Sequence, residues 1–75
     1  MKAYIQYLDY DNTGKLSEPC GDRAVVELDG RNNLTTWIKD AYRYNGFRRK
    51  RYPAFKIMKG DLHHSKCIYY KELPQ

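Results

Sequence analysis

Between Arg43 and Arg51 the chain reads RYNGFRRKR: five cationic side chains, no anionic one, two aromatic rings and a glycine. Packed this densely, Lys and Arg repel one another unless an anion lies across them. Guanidinium forks match phosphate oxygens in pairs, and Lys adds a point charge. The neighbouring rings Tyr42, Tyr44, Phe47 and Tyr52 suit two tasks, stacking on unpaired bases or lying beneath the arginine planes. Lys39, Lys56 and Lys59 extend the patch if the following strand folds back beside it. The residues expected to touch a partner are Lys39, Arg43, Tyr44, Arg48, Arg49, Lys50, Arg51, Tyr52 and Lys56. The competing reading is a solubilising loop, with Trp37, Tyr42, Phe47 and Phe55 simply forming core.

A second group is Asp61-Leu62-His63-His64-Ser65-Lys66-Cys67. His, Cys and Asp ligate zinc, and His64 with Cys67 has a tolerable spacing. A zinc site needs three or four ligands, however, and Cys20 must then arrive from afar. The sequence holds no CxxC and no HxxxH, so a polar hairpin loop without metal or cofactor is the expectation. The same histidines, with Lys66 and an Arg, have the groups for metal-independent RNA cleavage, a base taking the 2′-hydroxyl proton and a cation stabilising the phosphorane. Nothing in the spacing demands that chemistry. Walker, dinucleotide-binding, GxSxG and EF-hand signatures are absent, which points to a non-enzymatic binding domain.

Tyrosine is abundant, with eight copies in 75 residues. So small a core cannot bury Tyr4, Tyr7, Tyr10, Tyr42, Tyr44, Tyr52, Tyr69 and Tyr70 together with every hydroxyl satisfied. Rings left on a sheet face away from a helix make a docking surface, because a rigid ring offers contact area at low entropy cost. That gives an alternative function, a protein–protein inhibitor or adaptor using a Tyr-rich face. The plainer account is rings filling a thin core edge-on with their hydroxyls in water.

Charge is unevenly placed. Residues 1–30 hold three Lys/Arg against six Asp/Glu, a net of −3; residues 31–75 hold eleven against three, a net of +8. Such asymmetry suits an anionic macromolecular partner, nucleic acid or the surface of a nucleic-acid-handling protein, unless the two halves neutralise each other. Seventy-five residues make one domain spanning 1–75. No 18-residue apolar run exists to span a membrane, and MKAYIQYLDYD lacks the apolar core of an export signal. The expectation is a cytoplasmic protein with reduced Cys20 and Cys67, a monomer or a homodimer. Size, charge and a single domain suit the small accessory proteins of phages and other mobile elements, many of which block a host nucleoprotein or enzyme.

The elements that must carry these groups follow from periodicity. Lys2–Tyr10 reads as a strand with Ala3, Ile5 and Tyr7 on one face and Tyr4, Leu8 and Tyr10 on the other, the pattern of a strand that is central or is covered on both sides. Asp11–Gly14 is a turn, and Lys15–Cys20 a loop in which Pro19 blocks a sheet interior. Arg23–Leu28 alternates, with Ala24, Val26 and Leu28 inward. Leu34, Trp37, Ile38, Ala41 and Tyr42 then make one helical stripe from about 33 to 45. Asn32 or Asn33 caps its start, and Asn45-Gly46 suits a left-handed cap with Phe47 packed just past it. Pro53 holds Tyr52 extended. Ala54–Lys59 and Lys66–Leu73 are the last strands. The order is ββαββ, an α+β domain with one helix packed on a mostly antiparallel four-stranded sheet.

Overall fold

The computed structural model describes residues 2–48 and 51–73, so Arg49 and Lys50 of the expected partner surface lie outside the described residues. The strand with rings on both faces, β1 (Ala3–Tyr10), is the central strand. β4 (Ala54–Gly60) runs antiparallel along one of its edges, with Ile5 opposite Ile57 and Tyr7 opposite Phe55. Along the other edge, β3 (Val25–Leu28) pairs with the first half of β1, and β2 (Leu16–Ser17) pairs with its last two residues. β5 (Ser65–Glu72) lines the outside of β4. Every pairing is antiparallel. The sheet is thus four strands wide, and α1 (Leu34–Gly46) packs on one face of it. No helix among the described residues is long and apolar enough to cross a membrane.

Alternation decides which side chains meet the helix. Ala3, Ile5 and Tyr7 on β1 join Phe55 and Ile57 on β4, Ala24, and Trp37 and Ala41 on α1 in one buried cluster. Val26, Leu28 and Ile38 close its margin. Two hydrogen bonds, one buried and one partly buried, tie the helix to β1 and to the end of β3. The Tyr7 hydroxyl donates to the Ala41 carbonyl at 2.5 Å, and the Trp37 indole N–H donates to the Asp29 carbonyl at 2.9 Å. The helix starts at Asn33, whose side-chain oxygen accepts the Thr36 N–H at 3.0 Å and so satisfies one of the open donors of the first turn.

The structure departs from the sequence reading at several points. Leu16–Ser17 is a short strand inside the segment expected to be loop, which makes the order β-β-β-α-β-β. Arg23 and Ala24 belong to a 3-10 turn, Asp22–Ala24, so the following strand begins at Val25. The helical stripe is rotated: Trp37 and Ala41 are buried, Leu34 and Tyr42 sit at its exposed rim, and Tyr44 and Asn45 turn inward instead. Gly46 is helical and Phe47 caps the helix at an ordinary φ of −86°, so no left-handed cap forms.

At the far end, β4 turns into β5 through Asp61–His64. Gly60 takes φ +122°, and a Cβ there would run into the His64 carbonyl oxygen. Glycine is required at that point. Pairing slips by one residue between Ile57 and Met58: Ile57 faces Tyr69 but Met58 faces Cys67. Ile68 is the extra residue of a β-bulge, and both Ile68 and Tyr69 pack on the core.

Candidate functional site

The last turn of α1 and the segment after it are held by one side chain. Asn45, only 5% exposed, donates through Nδ2 to the Tyr52 carbonyl at 3.1 Å and accepts the Tyr52 N–H on Oδ1 at 2.9 Å. Its amide thus pairs with Tyr52 as a neighbouring strand would. The Leu73 N–H donates to the Pro53 carbonyl at 2.8 Å, which ties the same segment to the end of β5. The chain leaving the helix is consequently fixed against the body of the domain at Tyr52 and Pro53.

The cations here have different duties. Arg48 does not point outward as Arg43 and Arg51 do. It is half-buried, with its guanidinium carbon 5.1 Å from the Tyr7 ring centre and 5.4 Å from that of Tyr52. Those two rings stack at 5.2 Å with 17° between their planes. The Arg48 Nε–H is buried and has no hydrogen-bond partner among the described residues. The charge is therefore spent on ring faces, where cation–π attraction holds it. Burial pushes the Tyr7 hydroxyl up to about 12, against the opposing pull of the Arg48 charge.

Arg43 remains largely exposed. Its Nη2 is 3.4 Å from Asp40 Oδ1, and its guanidinium carbon lies 5.1 Å from the Tyr44 ring centre. In the last helical turn it also complements the negative end of the helix dipole. Lys39 sits one turn earlier on the same outer stripe and is exposed. Arg51 is exposed as well, and neither Lys39 nor Arg51 makes an ion pair among the described residues. Phe47 follows this stripe at the helix cap and is 79% exposed, the most open large apolar side chain among the described residues.

Between the helix end and the extended segment lies an open cleft of about 650 Å³. Tyr42, Tyr52, Pro53 and Leu73 supply its apolar walls; Gly46 and Arg51 stand at its edge. Tyr42 is 44% exposed and meets Phe55 edge-on at 5.6 Å, so the core fixes the ring's position while much of it stays open. The sequence did not suggest this cleft. Its one signal was the juxtaposition of Tyr42, Gly46, Tyr52 and Pro53 around a cationic run.

Lys56 is not part of this surface. It pairs with Gln6 on the sheet face away from the helix, and its Nζ lies 3.2 Å from Glu18 Oε1. That ion pair is a contact between the acidic N-terminal half and the basic C-terminal half. Lys59 is exposed near the opposite end of β4. The Tyr-rich face is also thinner than the residue count suggests. Tyr4 is buried, its hydroxyl 2.8 Å from the Ser65 hydroxyl, which leaves Tyr10 and Tyr70 as the exposed rings of β1 and β5.

His63 and His64 sit at the β4–β5 turn, where their backbone N–H groups donate to Asp61 Oδ1 at 3.0 and 2.9 Å. Those bonds hold the Asp61 carboxyl below its ordinary range. Pro53 and Asp61 flank opposite ends of β4, about 26 Å apart at the rise of a strand. The histidines and the cations after the helix are therefore not brought together. Among the described residues no three His, Cys, Asp or Glu converge as a metal site, and Cys20 and Cys67 are exposed free thiols. No protein-family model, curated protein or solved structure matches the chain.

Proposed function

We propose that this chain is a non-enzymatic binding domain whose helix end grips single-stranded nucleic acid. The observation that carries this reading is Phe47, 79% exposed at the end of the stripe that carries Lys39 and Arg43, with exposed Arg51 on the segment that follows. A carboxylate-lined protein groove would match the charges and leave the ring without a use. A duplex would present phosphates while hiding its base faces. Unpaired bases give the ring a stacking partner as their phosphates meet the cations, and such stacking tolerates any base.

The test is fluorescence anisotropy with labelled single- and double-stranded DNA and RNA at several salt concentrations. Three phosphate contacts predict that log K falls with log salt at a slope of about −2 for single strands, at about −0.7 per contact. Arg51→Ala should flatten that slope by one contact, and Phe47→Ala should weaken binding with the slope unchanged. Binding that ignores salt, or that favours duplex over single strand, refutes the proposal.

A further inference from the structure

Resting on the nucleic-acid reading, we infer that the cleft between α1 and the Tyr52–Pro53 segment is a base slot, which takes one nucleotide with its base against Tyr42 and its phosphate on Arg51. The volume, about 650 Å³, lies within the range of small-ligand pockets. The walls are of the right kind, two tyrosine rings, a proline and a leucine, with one cation at the edge. A planar aromatic group bearing an anionic one is the ligand that uses both.

The slot is also pre-shaped. Tyr52 is fixed by the Asn45 amide and by stacking on Tyr7, and Pro53 is tied to Leu73. Tyr42 is positioned by Phe55. A ligand entering it need not order the walls first, which lowers the cost of binding. Gly46 adds no side chain to the lining, and a Cβ built there meets nothing within 4 Å among the described residues. Its helical conformation accepts a side chain without strain, so a larger residue at 46 would occupy the slot and leave the fold intact.

Two oligonucleotides of equal length distinguish the slot from the charges, a thymine strand and its abasic counterpart. Wild type should bind the intact strand more tightly by about tenfold for each of two stacked bases, one on Phe47 and one against Tyr42. Gly46→Leu and Tyr42→Ala should lower that preference about tenfold and leave the share that belongs to Phe47, and Tyr42→Phe should retain most of the difference. Thermal melting verifies that each variant is folded. A preference for the intact strand that Gly46→Leu and Tyr42→Ala leave unchanged overturns the slot and leaves the nucleic-acid reading standing; equal affinity of wild type for both strands overturns both. If neither strand binds, that reading falls, and titration with a nucleoside monophosphate followed by NMR decides the slot. Shifts confined to Tyr42, Gly46, Tyr52 and Leu73 uphold it as a site for the free nucleotide; their absence overturns it too.

Discussion

Removing the Asn45 amide should cost more than its size suggests. Asn45→Ala deletes two hydrogen bonds and leaves the Tyr52 N–H and C=O without protein partners. Each such bond is worth about 1 kcal/mol net, and a stranded buried group costs about 1–3 kcal/mol. Tyr52 is half-buried, so water recovers part of that penalty. The sum is about 2–3 kcal/mol. A 75-residue domain has roughly 4–11 kcal/mol of stability at about 0.05–0.15 kcal/mol per residue, so this one change removes a large share. Urea unfolding followed by the fluorescence of Trp37 measures it. The melting temperature should fall by about 10–20 °C, at about 4–8 °C per kcal/mol for a domain of this size. Asn45→Asp is the sharper probe. It keeps the acceptor for the Tyr52 N–H but sets a carboxylate against the Tyr52 carbonyl. Protonation restores the missing donor, so the introduced carboxyl has a raised pKa in the folded state. Its stability deficit should shrink below that pKa and grow as the pH rises through it. A loss below about 0.5 kcal/mol for Asn45→Ala, or a pH-independent loss for Asn45→Asp, would show that the amide does not hold the segment.

Three further outcomes follow from the same structure. The Tyr7 hydroxyl, raised to about 12 by burial, stays protonated in the folded state where the unfolded chain has ionised; its contribution is therefore full below pH 10 and lost as pH climbs from 10 towards 12. Tyr7→Phe should flatten that alkaline limb of the stability curve, measured by urea titration at stepped pH. Arg48 and Arg51 should separate cleanly: Arg48→Ala should cost about 1–2 kcal/mol in thermal or urea unfolding because it uncaps two rings, whereas Arg51→Ala should cost under about 0.5 kcal/mol. Gly60→Ala forces a left-handed conformation and a collision with the His64 carbonyl, and it should destabilise by at least about 1–3 kcal/mol, read by urea unfolding.

Much of the fold was legible because burial writes itself as period. Ile5 and Tyr7, Phe55 and Ile57, and Trp37 and Ala41 recur at the spacings of the faces they occupy. Rings on both faces of β1 marked it as central. β2 was hidden because two residues carry no period, and Pro19 two positions on read as a break. Asn45 reads as part of a cap because Asn-Gly has that meaning locally; its partner, Tyr52, is seven residues away and lies beyond any local rule. Arg48 was misplaced because charge predicts exposure until rings are near enough to receive it. Lys56 is different. Its alternation with Phe55 and Ile57 already put it on the face away from the helix, so the sequence contained the reason to leave it out of the cationic surface.

The pairing of Ile5 with Ile57 joins positions about fifty residues apart, and it lies at the heart of the sheet. During synthesis, β1 emerges early and finds β2 and β3 soon afterwards. Its other edge stays open until Ala54–Gly60 has been made. Closing so long a loop is entropically slow, which places the folding of this domain nearer milliseconds to seconds than microseconds. A ribosome stalled before Ala54 would thus hold a hairpin fragment with one edge bare, a state prone to pair with the wrong strand.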